Sequence, residues 1–156
     1  MEITIREGTA KDIPTIFKLI KELALYEKAP DEVITNEEQM YEDGFGENAI
    51  FKFIVAEVDN EVIGMALYYW KYSTWKGKGI YLDDIVVTEK FRRKGIGKLL
   101  MDEIIKIAAR EKANKLEWQV LDWNEPAINF YKKYNVEFDG EWINCKLTKD
   151  QLEKSL

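Results

Sequence analysis

The sequence predicts a mixed α/β sheet domain of α+β type, with about six to seven strands flanked by about four helices. Three observations carry that expectation. Apolar residues repeat at period 2 in some segments and at helical spacing in others, and the two kinds follow one another along the chain. The pair Asp59-Asn60 separates two strand-like runs, which marks a hairpin. A third strand-like run, ending at Val87, leads through a basic, glycine-bearing turn directly into a helical pattern. The 156 residues, 46% of them hydrophobic, fit one domain spanning 1–156 with a real core.

The elements follow in order. Glu2 to Arg6 alternates and reads as a short strand. Ile13, Ile16, Phe17, Ile20, Leu23 and Ala24 then recur at helical spacing. Pro14 is tolerated only in a first turn, so Asp12 rather than Thr9 is the favoured cap. Residues 28–32 form a loop around Pro30, and Thr35 with Glu38 reads as a capping box for a helix to about Asp43. Phe51 to Val58 and Glu61 to about Tyr72 are hairpin partners. Ser73 to Gly79 reads as a connection and Tyr81 to Val87 as a strand. Ile96 to about Lys112 is a helix, and Lys115 to Val120 a strand. Asn124 with Pro126 opens a helix to Tyr134. Trp142 to Leu147 alternates like a final strand, and the tail from Thr148 has helical character.

Composition excludes whole classes of chemistry. There is no histidine, so no imidazole base, Ser-His-Asp triad or His-ligated zinc is available. One cysteine builds neither a thiolate cluster nor an intrachain disulfide, so no metal is expected. Cys145, between polar neighbours, reads as a packing residue. The net charge of −6 argues against nucleic acid as a partner. No targeting or membrane segment is visible, which makes a soluble cytoplasmic protein the default expectation.

That net charge conceals two opposite local fields. Glu27 to Glu47 holds eight acidic residues and one lysine, net −7; Lys90 to Lys98 holds five basic residues and no acid, net +5. The basic run is the turn between strand and helix, where the first helical N–H groups lack partners and the dipole is positive. Such a turn is an anion site that phosphate fits, and Gly95 and Gly97 let the backbone approach a ligand closely. Neither a Walker A motif nor the three-glycine dinucleotide fingerprint is present.

Arg92, Gly95 and Gly97 after a strand resemble the central signature of the GCN5-related N-acetyltransferase family. Further blocks are similar to its diamine (spermidine/spermine) acetyltransferase subfamily. They are Lys21 to Glu27, Glu42 to Gly46, Tyr81 to Asp84, and Trp123 to Tyr131. Tyr72 to Gly77 and Val120 to Asn124 look more like the thialysine acetyltransferase branch.

The resemblance implies an acetyl-CoA-dependent transfer to a primary amine of a small cationic substrate. Backbone of Ile85, Val86 and Val87 would hold the pantetheine arm. Arg92, Arg93, Lys94, Gly95, Ile96, Gly97 and Lys98 would form the pyrophosphate cradle, with Asn124, Pro126 and Ala127 also at the cofactor. Tyr131 would face the sulfur as general acid. Asp83, usually Glu in the subfamily, would accept the amine proton through a bridging water. Tyr26, Glu27, Trp75, Glu117, Trp118 and Gln119 would line the amine, and Ser73 replaces an acidic residue of polyamine-specific members. That substitution favours thialysine, lysine-like amines or short diamines. A homodimer is implied. The alternatives are a protein lysine or N-terminal acetyltransferase and a non-catalytic CoA-binding module.

Overall fold

The computed structural model describes residues 1–156. It divides into two compact units, Met1–Gln119 and Val120–Leu156.

The first unit is built on a five-stranded sheet in the order β1-β2-β3-β4-β5. The strands are β1 (Thr4–Glu7), β2 (Lys52–Val58), β3 (Glu61–Ser73), β4 (Gly77–Val87) and β5 (Leu116–Glu117). The first four pair antiparallel and β5 joins β4 in parallel. Helices α1 (Ile13–Tyr26), α2 (Glu37–Phe45) and α3 (Ile96–Arg110) complete it. The strand count is therefore five rather than six to seven, while the mixed α/β class stands.

Both faces of the sheet are covered, which explains why β2 is buried almost without interruption. On one face Phe53, Val55, Met65, Leu67 and Val86 pack with Ile13, Ile16, Phe17 and Leu19 of α1 and with Met40 of α2. On the other face lies α3, whose buried stripe is Ile96, Leu100, Met101, Ile104 and Ala108. Gly64 permits that approach: a Cβ there would stand 3.0 Å from the Val86 carbonyl oxygen and 3.3 Å from Leu100. The Asp59-Asn60 turn has positive φ at both residues, the geometry whose twist matches a tight hairpin.

The caps partly differ from expectation. Asp12 is the N-cap residue of α1, yet its carboxylate makes no cap there. It accepts the Thr9 amide at 2.7 Å and both terminal nitrogens of Arg6 at 2.9 Å, because a nearly buried carboxylate is best satisfied by a guanidinium fork. For α2 the cap is Asn36, accepting from the Gln39 amide at 2.8 Å, rather than Thr35. Asn36→Ala should cost about 1 kcal/mol, lowering the melting temperature by about 2–4 °C, which a thermal melt checks.

The second unit holds α4 (Glu125–Lys132) and α5 (Lys149–Glu153). Asn124 caps α4 through the Ala127 amide, and Thr148 with Gln151 forms a capping box on α5. Asn135 takes the left-handed conformation just after α4, which Asn accepts at low cost. No strand forms over Trp142 to Leu147. Alternation alone does not make a strand; a partner must take the backbone groups, and this run joins no sheet. Cys145 is accordingly exposed rather than packed.

Candidate active site

The site of the first unit is organised by β4. Its pairing with β3 slips once: Leu67 faces Asp84 while Tyr68 faces Leu82, so Asp83 is an extra, unpaired residue. This bulge breaks the strict alternation that would send Asp83 and Asp84 to opposite faces. On the other edge β5 pairs only with Ile80 and Tyr81. From Asp83 to Val87, β4 therefore has a free edge on the β5 side. That edge offers backbone donors and acceptors to an extended ligand.

Carboxylates gather around the bulge. Burial pushes the half-buried Asp84 up to about 7, with the charges of Asp83 and Glu27 adding to it. Burial also raises Asp83 and Glu27. Glu27 lies at the end of α1, beside Tyr26. Carboxyls raised by burial, with Asp84 raised further by two neighbouring charges, gain by receiving a cation. Tyr69 and Tyr81 stack at 5.3 Å beside this cluster, and burial followed by its neighbours' charges pushes Tyr81 up to about 12.

About four residues further along β4, or roughly 13 Å, the strand enters the basic turn. Arg93 and Gly95 both adopt left-handed φ, +62° and +79°, which wraps the chain around the N-terminus of α3. The first intrahelical bond runs from the Leu99 amide to the Gly95 carbonyl. The amides of Ile96 and Gly97 precede that bond and have no helical acceptor. No acidic residue occupies the first turn. A Cβ on Gly95 would meet nothing within 4 Å, so the turn is open above its amides. These features fit a phosphate-bearing group. Gly95→Ala should cost roughly 1–2 kcal/mol through the left-handed conformation alone. Melts with and without inorganic pyrophosphate should show a smaller ligand-induced rise in the variant than in the wild type.

Other residues are placed differently from expectation. Lys98 pairs with Asp102 at 2.5 Å, so its ammonium is engaged within α3. The Arg92 guanidinium donates to the Val87 carbonyl at 2.9 Å, with Glu22 at 3.4 Å. Glu117, despite its burial, is held below the ordinary carboxylate range by Lys115 and Lys71, at 2.7 and 2.5 Å. It is neutralised by its own neighbours and is a poor ammonium ligand. Trp118 and Gln119 follow the two-residue β5 and lie outside any strand. Trp75, 82% exposed, lies at the β3–β4 hairpin tip, about 20 Å of extended strand from Asp83. Within one chain it does not wall the carboxylate cluster.

In the second unit, Pro126, Ala127 and Tyr131 all lie on α4. Tyr131 is only 6% exposed and packs on Phe130, with ring centroids 5.4 Å apart.

The sequence analysis assigns no site role to Glu22, Tyr69, Tyr81 or Asp84, although Tyr81 and Asp84 bound one of the family-like blocks. Glu22 sits within the Lys21 to Glu27 block, which was the available signal for it.

A strand with a carboxylate-bearing bulge that runs through a basic turn into a helix N-terminus defines a class of fold. The chain belongs to the acetyltransferase (GNAT) family, whose profile matches residues 14–135, and it is an acetyltransferase. It is 41% identical over 143 residues to the thialysine N-epsilon-acetyltransferase of Bos taurus, covering 86% of this chain and 84% of that protein. It is 36% identical over 134 residues to the spermidine/spermine N(1)-acetyltransferase-like protein 1 of Homo sapiens, covering 81% of this chain and 19% of that one. In fold it is similar to an integron cassette protein from the mobile metagenome of V. cholerae. That match has a TM-score of 0.80 at 24% identity and covers 99% of this chain and 98% of the other. The resemblance to the thialysine branch is thereby borne out. No helix is long and apolar enough to cross a membrane.

Proposed function

We propose that the protein transfers the acetyl group of acetyl-CoA to a primary amine of a small cationic substrate, with thialysine or a lysine-like amine as the leading candidate. The observation that carries this is the arrangement of β4, which has carboxylates at its bulge and an anion-binding turn at its end. An anionic donor and a cationic acceptor are thus both served along one strand. The names of the relatives support the amine class. In this reading the whole chain, 1–156, acts as one acetyltransferase domain, cytoplasmic and homodimeric.

When bound, acetyl-CoA supplies an activated thioester. The amides opening α3 would hold its pyrophosphate, and the family resemblance assigns Asn124, Pro126 and Ala127 to the cofactor as well. Glu27 and Asp84 bind the substrate as ammonium, beside Tyr26. Asp83, solvent-accessible at the bulge, accepts the ammonium proton through water. The neutral nitrogen attacks the carbonyl carbon, and backbone over Ile85 to Val87 stabilises the oxyanion. As the C–S bond breaks, Tyr131 would give its phenolic proton to the departing thiolate and be reprotonated by the second proton that the acylated nitrogen sheds, leaving free CoA and the neutral acetylated amine. The test is a side-by-side kinetic panel of thialysine, lysine, putrescine, spermidine and a lysine peptide. Thialysine or another small amine is expected to have the highest kcat/KM. A peptide that outperformed every free amine would replace this reading with protein acetylation.

A further inference from the structure

We infer that Glu22 and Arg92 are positioning residues that mechanically couple the amine end of the site to its anion-binding turn. Glu22 lies on α1 one turn before Tyr26 and Glu27. Its carboxylate accepts from three groups of the segment following β4: the Thr88 hydroxyl at 3.0 Å, the Glu89 amide at 2.9 Å and the Arg92 guanidinium at 3.4 Å. Arg92 in turn donates to the Val87 carbonyl at 2.9 Å, and its guanidinium carbon lies 5.5 Å from the centre of the Tyr26 ring. Every polar contact these two side chains make here is therefore internal. Arg92 is the charged residue of the family signature, yet its guanidinium points to α1 and the end of β4.

The consequence is a rigid link. Side-chain contacts span 66 to 70 residues of sequence to join the end of α1 with the entry of the turn. The turn and the end of α1 share a partly buried set of bonds on the Glu22 carboxylate, so a displacement of one favours a displacement of the other. A ligand that orders the turn consequently also fixes the end of α1, which lowers the ordering cost of binding the amine. By linkage the effect is reciprocal. The inference rests on the proposed function, because it assigns the turn to CoA and Glu27 to the amine.

The test is calorimetric titration of thialysine into free and CoA-saturated protein, for the wild type, Glu22→Gln and Arg92→Lys. In the wild type CoA should tighten thialysine binding at least about fivefold. In Glu22→Gln that ratio should fall to about one, with thialysine affinity of the CoA-free protein held within about twofold. Arg92→Lys keeps the charge but loses the fork, and should fall between the two. A variant that is merely destabilised would not selectively lose the ratio, and a melt of each protein records any such loss. Wild-type protein that binds both ligands with a ratio near one would overturn the coupling alone. So would Glu22→Gln with the wild-type ratio. Wild-type protein that does not bind CoA would overturn the coupling together with the functional reading beneath it.

Discussion

Tyr131→Phe should lower kcat by about 10²–10³-fold and leave CoA affinity nearly unchanged. The substitution keeps the ring, its burial and its contact with Phe130, and removes only the hydroxyl. A phenol titrates near 10 in water, so it carries its proton at neutral pH and can give it up as the thiolate forms. An acid that acts only while the C–S bond breaks contributes to the transition state and not to ground-state binding. The loss therefore belongs in kcat rather than in CoA affinity. Single-turnover kinetics with saturating acetyl-CoA separate the two. A variant as fast as the wild type would remove Tyr131 from the proton path.

Asp84→Asn should act on binding and on stability in opposite directions. Replacing one partner of a charge-assisted ammonium contact costs about 1.5–3 kcal/mol, so amine KM should rise about 10–100-fold. In the wild type, kcat/KM for the amine should climb as pH passes about 7, where Asp84 ionises, and the variant should lose that limb. Stability runs the other way. The folded pKa lies above the unfolded value, so the native state holds the proton more tightly and stability falls as pH rises from about 4 to about 7. Above pH 7 the full cost of a buried carboxylate is present. Counting about half of the shift, to allow for solvent relaxation, gives about 2 kcal/mol. Asp84→Asn should therefore raise the melting temperature at pH 8 by about 4–8 °C and change it little at pH 4. An equal change at both pH values would mean that the carboxyl is not held above its ordinary range.

How much of this was legible in the sequence depended on the range over which each feature is determined. Local chemistry was readable: the spacing from Ile13 to Leu23 gave α1, Asp59-Asn60 gave the hairpin turn, and Asn124 with Pro126 gave the start of α4. The anion-binding turn was legible for the same reason, since its glycines and cations are contiguous. Features set by pairing were not readable. The bulge at Asp83 is a register slip against β3, and nothing in Leu82-Asp83-Asp84-Ile85 announces an extra residue. The period-2 rule therefore assigns Asp83 and Asp84 to opposite faces, an alternation that the bulge breaks. The start of β4 at Gly77 was hidden by glycines and lysines that read as a loop, while the long partner strand β3 decides the pairing. Trp142 to Leu147 shows the converse, a strand-like pattern without a partner. Long-range ion pairs also escape pattern reading. Glu22 and Arg92 lie 70 residues apart, and Glu117 is claimed by Lys71 and Lys115.

The central claim is that one strand serves an anionic acetyl donor and a cationic amine. Incubating the protein with acetyl-CoA and thialysine, and measuring free CoA thiol and acetylated thialysine together, tests it most directly. One thiol should be released per acetylated amine, at a rate that saturates in both ligands. Protein that releases no thiol and acetylates none of thialysine, lysine, putrescine, spermidine or a lysine peptide would contradict it.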